Sequence, residues 1–514
     1  MSDNARAPGS RGTNGRAVAA LRSHLATIAD LKASAAVLRW DQETLMPPGG
    51  TEGRALALAT LARLAHEQLT ADATRRLLDA AEAAVRGADP ASDDAALVRV
   101  TRRDLDRARK LPAEFVAEQR RVAAVATHVW RDARRANDFA AFRPHLEQLF
   151  QLARREADYI GYAGHPYDAL VDRYDPGVTA RELETLFGRL LEVVVPLVRG
   201  IASRAGAVDA GILDADFDEA AQRTFALEIV RAFGYDTRRG RLDLSAHPFS
   251  TKFHRDDVRI TTRYGPRLSA VFGTFHESGH AMYSQGTSPA LERSPLSDGA
   301  GSGIHESQSR MWENLVGRSR AFWEHAFPRL RRAFPEQLKS ADAERVYRAV
   351  NHVEPGLIRV RADEVTYNLH IVLRFELERA LLTGDLAVRD LPDAWAGKMR
   401  AYLGLTPPDD ADGVLQDIHW SSGLVGSFPS YTLGNVASVQ LFEAARRARP
   451  SLTDDIRAGR FAALYGWMRD HVYAHGRKFL PSELLRRATG SVLTAEPYLG
   501  YLRDKFTDLY GLAA

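Results

Sequence analysis

Apolar residues recur every three or four positions along most of this chain, in long runs. Leu21, Leu25, Ile28 and Leu31, continuing towards Leu38, open the pattern between residues 17 and 38. Comparable runs cover 51–86, 92–109, 112–136, 142–162, 179–205 and 215–234, punctuated by Pro112, Pro144, Pro176 and the stretch from Asp209 to Asp216. They are rich in Ala, Leu and Arg, with charges on the opposite face. This predicts a wall of amphipathic helices with no chemistry of its own. The period changes at Val258-Arg259-Ile260-Thr261-Thr262-Arg263-Tyr264, which alternates and is β-branched, so a strand is predicted there. Such a strand either lends its edge to an extended peptide along a groove or belongs to a small structural sheet. Helical spacing returns at 341–353, at 362–383 and from Val436 onwards. Loops are predicted at Met46–Gly50, at Gly286–Gly303 and over the Gly- and aromatic-rich stretch Gly413–Gly434. No internal repeat or low-complexity linker divides the chain. The expected fold is therefore mainly helical: one domain over 17–514, with two lobes around a cleft. The polar segment 1–16 is expected to be a disordered tail.

Composition narrows the partners. Of 514 residues, 45% are hydrophobic and 26% charged, which is ordinary for a soluble globular protein. The net charge is +3 and no basic run stands out, so nucleic acid is not an expected partner. The absence of cysteine removes disulfides and thiolate ligands and fits a reducing compartment. Any metal must then be held by His, Asp or Glu. No stretch approaches the roughly 18 uncharged apolar residues of a membrane span, and Met1–Arg16 lacks the apolar centre of a signal peptide. A cytoplasmic protein without membrane contact is expected.

The chemistry centres on His276-Glu277-Ser278-Gly279-His280, an H-E-x-x-H pattern. Leu268, Phe272, Phe275, Gly279 and Met282 give the segment a helical stripe. Gly265-Pro266 offers a start and Gly286 a stop. Residues four apart on a helix lie about 40° apart around the axis, so both imidazoles can face one divalent cation. Glu277 sits about 100° from His276. It is beside the cation rather than on it, where it can take a proton from water.

Catalytic zinc usually takes three protein ligands. The next helical pattern, from Ile304 to Leu315, offers Glu306 as the third, with the adjacent His305 as the alternative. A histidine-orienting acid one turn beyond the third ligand would stand at position 310, but that residue is Arg310. Glu313 or Asp363 is left for the task. A second pair at four-residue spacing, His471 and His475, has no adjacent glutamate and basic neighbours, so structural histidines are expected there.

Several segments, in order, resemble the carboxypeptidase Taq family of zinc metallocarboxypeptidases. They are Trp40-Asp41-Gln42 with the Met46–Gly50 turn, His247-Pro248-Phe249, Asp257-Val258-Arg259-Ile260-Thr261, His276–His280 and His305-Glu306-Ser307-Gln308. Further on come Ile358–Glu364, Gly413–Trp420 and Phe428-Pro429-Ser430-Tyr431. The resemblance implies a helical fold with a small sheet at a deep groove, similar to other helical gluzincin peptidases. It also implies a homodimer, one zinc or cobalt ion per chain, and removal of C-terminal residues with broad side-chain tolerance. On this likeness His276, His280 and Glu306 bind the metal and Glu277 is the general base. Arg359, Arg259, His247, His419 and Tyr431 face the substrate, with Tyr431 or His419 donating to the oxyanion. Arg359 is the expected partner of the terminal carboxylate, with Arg259, Arg263 and Arg361 as competitors. The chain departs from the family pattern at Arg361, usually acidic, and at Ser427, usually tyrosine. The expected activity is a metallocarboxypeptidase acting on peptides with a free C-terminus. A helical zinc endo- or dipeptidyl-peptidase is the alternative.

Overall fold

The structure, a computed structural model, describes residues 9–512. Residues 1–8 of the expected tail lie outside that range, and the first helix begins at Gly9, upstream of the expected Ala17. An N-terminal helical unit comprises α1 (Gly9–Thr44), α2 (Thr51–Thr70), α3 (Asp72–Val85) and α4 (Asp93–Lys110). The run expected as one helix over 51–86 is broken at Ala71, whose ψ of 148° is extended. The break lets α3 fold back and bury Leu78 and Ala81 against Leu21, Leu25 and Ile28 of α1. Leu291 and Leu296, from the loop expected at Gly286–Gly303, complete this small core.

The larger core takes the rest of the chain. Its first half is α5 (Ala113–Ala136), α6 (Phe139–Ile160), α7 (Pro166–Val171), α8 (Ala180–Ala202) and α9 (Glu219–Phe233). Pro144, expected as a boundary, lies inside α6. Asp138 sets that helix start by accepting from the Ala141 N–H, and the proline forfeits only one backbone bond. A three-stranded sheet follows, β1 (Leu242–Leu244), β2 (Ser250–His254) and β3 (Asp257–Thr262), in the order β1-β3-β2. β3 pairs in parallel with β1 and antiparallel with β2. Both edges of the strand expected from sequence are therefore occupied, and it cannot accept a peptide as a further strand.

The remaining helices are α10 (Ser269–Gly286), α11 (Ser302–Arg310), α12 (Arg320–Ala333), α13 (Ala343–Val350), α14 (Tyr367–Thr383), α15 (Leu391–Leu403) and α16 (Pro429–Ala448), then α17 (Leu452–Arg457), α18 (Ala462–His471), α19 (Pro481–Thr489) and α20 (Glu496–Tyr510). α12 and α15 were not anticipated, and α16 begins inside the stretch expected to be loop. No helix among the described residues is long and apolar enough to cross a membrane.

Two glycines position the centre of the molecule. A Cβ on Gly279 of α10 would lie 2.5 Å from the Gln308 carbonyl oxygen, and one on Gly434 of α16 would lie 2.6 Å from Glu306 Cβ. Only glycine lets α10 and α16 press against α11 from two sides, which brings His276 and His280 to Glu306.

Candidate metal centre and peptide cavity

α10 carries His276, Glu277 and His280 on an almost wholly buried helix, and α11 carries Glu306. Nε2 of His276 lies 3.5 Å, and Nε2 of His280 3.3 Å, from Oε2 of Glu306. Ligand atoms of these three residues all fall within 4.8 Å of one another, the one such grouping among the described residues. Two imidazole nitrogens and one carboxylate oxygen suit a divalent cation of the zinc type, so the donor set fits the metal that the sequence implies.

The surrounding groups fix which ring nitrogen is free. Nδ1 of His276 is 2.9 Å from Oε2 of Glu313, so Nδ1 carries the proton and Nε2 presents its lone pair. Nδ1 of His280 is 2.6 Å from Nδ1 of His305. Nε2 of His280 faces Glu306, and it has a lone pair for a cation when the proton sits on Nδ1, the tautomer in which His280 donates and His305 accepts. Burial, reinforced by His280, lowers His305 to about 3 and keeps it neutral. His305 is thus a partner of a candidate ligand, and the carboxylate beside it reaches the centre. Asp363 lies elsewhere: it accepts from the backbone N–H groups of Val365 and Thr366 ahead of α14. Burial pushes Glu306 up, but Arg310 and the two imidazoles outweigh it and hold the carboxyl well below the usual range. Burial likewise opposes ionisation of Glu313, yet the His276 hydrogen bond and Arg310 pull it down to about 2. Glu277 is 7% exposed, and burial raises its pKa, as suits a proton acceptor.

A cavity of about 590 Å³ opens at this centre. His280, His305 and Glu306 form part of its wall, and His419, Ser427 and Tyr431 form another part. The Tyr431 phenol oxygen is 3.0 Å from Nε2 of His419. Burial, with Arg359 and Arg374 nearby, lowers His419 to about 4 against the opposing pull of Asp417. Asp175, unremarked in the sequence, is buried and links the parts. It accepts from Gly303 N–H at 2.7 Å at the start of α11 and from Ser430 Oγ at 2.5 Å beside Tyr431.

The expected substrate arginines sit differently. Arg359 is 5% exposed and lies behind the cavity wall. Its Nε and Nη2 donate to Asp417 at 3.0 and 2.7 Å, its Nη1 donates to Tyr367, and it packs 5.1 Å from the Tyr431 ring centre. Desolvation is why it is held this way, since a buried guanidinium needs a carboxylate. Arg259 donates to Asp257 and stacks 4.2 Å from the ring of Trp40, tying β3 to α1. His247 is exposed between β1 and β2, and its carbonyl accepts from Ser245. Arg361 is exposed. Ser427 donates to the Leu424 carbonyl and lines the cavity. His471 stacks on Trp467, and His475 packs on Phe479.

A largely helical protein with a His-His-Glu constellation beside a buried glutamate, opening on a peptide-sized cavity, belongs to the class of metallopeptidases. The comparisons narrow that class. The model of the carboxypeptidase Taq (M32) metallopeptidase family matches residues 20–506, and this chain belongs to that family. It is 44% identical over 487 residues to thermostable carboxypeptidase 1 of Thermus thermophilus, covering 93% of this chain and 95% of that one. It is 37% identical to carboxypeptidase 1 of Bacillus subtilis, covering 95% and 97%. The crystal structure of the M32 carboxypeptidase from Deinococcus radiodurans R1 superposes with a TM-score of 0.94 at 45% identity, over 97% of this chain and all of that one. The protein is a metal-dependent carboxypeptidase. The endo- or dipeptidyl-peptidase alternative is not favoured.

Proposed function

We propose that the chain removes C-terminal residues of broad side-chain type from peptides, with His276, His280 and Glu306 holding one zinc or cobalt ion. The convergence of three donor atoms within 4.8 Å, beside a buried Glu277, carries this reading. The bound cation supplies Lewis acidity, which polarises the scissile carbonyl and eases the deprotonation of water. Glu277 takes the proton of the attacking water and returns it to the leaving amine. Tyr431 donates its O–H to the developing oxyanion, and the neutral His419 at 3.0 Å fixes the phenol's direction.

A carboxypeptidase must also hold the terminal carboxylate. Three cations line the cavity. Lys252 is paired with Glu292 at 2.8 Å and Arg477 with Asp104 at 2.6 Å. Among the described residues the one carboxylate that Arg173 approaches is Glu156, at 4.0 Å, and its guanidinium stands 5.7 Å from the Tyr174 ring centre; it is the cation best placed to receive the carboxylate. Arg359 then acts through Asp417 and Tyr431 as a positioning residue. The homodimer implied by the resemblance and the cytoplasmic location expected from the sequence belong to the same reading, and light scattering giving twice the chain mass tests the first. The deciding experiment is mass spectrometry of a peptide incubated with the protein. A ladder shortening from the C-terminus, abolished by chelator and restored by zinc or cobalt, is expected. Internal cuts would overturn the reading.

A further inference from the structure

We propose that Arg310 is a positioning residue that confines Glu306 to a single ligating oxygen. The inference rests on the assignment of His276, His280 and Glu306 as metal ligands. The two oxygens of Glu306 face different partners. Oε2 lies 3.5 and 3.3 Å from the two imidazole nitrogens, whereas Oε1 accepts from Nε of Arg310 at 2.7 Å. Two-point ligation would need Oε1 to turn toward the cation and abandon that charge-assisted bond.

The guanidinium is itself held. Its Nη1 lies 3.3 Å from Oε2 of Glu313, its Cζ stands 4.4 Å from the Tyr367 ring centre, and its side chain is 14% exposed. Glu313 also receives Nδ1–H of His276. One arginine therefore ties the carboxylate on one side of the centre to the carboxylate that orients a histidine on the other. The helix makes this arrangement possible. Positions 306 and 310 are one turn apart on α11, and a π turn over Met311–Val316 follows, carrying Glu313. The position where an orienting acid was expected instead carries the cation that restrains the third ligand, and the acid moves to position 313.

The consequence is chemical. A one-point carboxylate leaves a position open on the ion, and the nearby positive charge limits how far Glu306 quenches the ion's electrophilicity. Loss of Arg310 should therefore strengthen metal binding while altering its geometry, the opposite of what general damage to the site would do.

The test uses the cobalt-loaded full chain with Arg310→Met and, independently, Arg310→Gln. With Oε1 released, both variants should show a weaker visible cobalt absorption, the mark of a higher coordination number. Chelator competition should give a dissociation constant lower by about tenfold, because a cation beside the dication has gone. Either a wild-type cobalt spectrum or a wild-type or weaker affinity overturns the proposal, and whichever variant folds carries the measurement. The underlying ligand assignment fails separately: it falls if Glu306→Gln binds cobalt as tightly as the wild type.

Discussion

Nδ1 of His276 lies 2.9 Å from Oε2 of Glu313, a residue on the π turn that follows α11. This contact fixes the tautomer and the ring angle of one candidate ligand from a separate element. Hydrogen bonds of this kind raise ligand basicity and restrict the ring before metal arrives. Glu313→Ala should weaken metal affinity by about 10- to 100-fold, read by chelator competition. Unchanged affinity would mean that the ring is held by packing alone.

Glu277→Gln should keep the metal and lose turnover. The substitution nearly preserves volume and leaves all three candidate ligands in place. The loss should reach at least the roughly 10²- to 10⁴-fold typical of a general base. A near wild-type rate at full metal occupancy would assign the base elsewhere.

Amidating a peptide's C-terminus should lower kcat/KM by about 30-fold or more, the cost of leaving a charge partner unpaired. Arg173→Ala should lower kcat/KM on free-acid peptides and remove most of the amide penalty. Arg359→Ala should instead lower kcat and keep the penalty, because it loosens Asp417 and Tyr431. The reverse pattern in the two variants would return the carboxylate to Arg359.

Glu378 gives a pH-dependent stability with a defined sign. It is wholly buried and accepts from Tyr167 Oη at 2.6 Å, Trp420 Nε1 at 2.8 Å and Gly426 N–H at 3.2 Å. Burial raises its pKa from an ordinary 4.5 to about 7, against the pull of those bonds. The folded state therefore binds the proton more tightly than the unfolded state. Relative to Glu378→Gln, wild-type stability should fall as pH rises from 4.5 to about 7. The decline should total about 3 kcal/mol and level off above that window. Denaturant midpoints for both proteins across pH 4 to pH 8 should diverge in that sense, and parallel curves would show that the carboxyl ionises freely.

The helical character of the chain was legible because amphipathic spacing is local. Breaks that depend on packing were less so. The Ala71 break in the 51–86 run carries no proline or glycine, and it follows from α3 returning to α1. β1 and β2 are short, and each is defined by its pairing with β3 rather than by its own pattern. Gly279 and Gly434 stood in plain view, but what a glycine is for appears only when another backbone lies within van der Waals reach.

By itself, the sequence determined the His276–His280 pair and its neighbour Glu277, because four-residue spacing on a helix sets relative direction whatever surrounds it. The ordered segments also carried the family, since they run along nearly the whole chain. Only the tertiary structure decided that Glu306 rather than His305 reaches the centre, that Glu313 orients His276, and that Arg359 is tied to Asp417. These choices join residues far apart in the chain. They depend on how closely helices approach and on the need of every buried charge for a partner, and neither is written in local spacing.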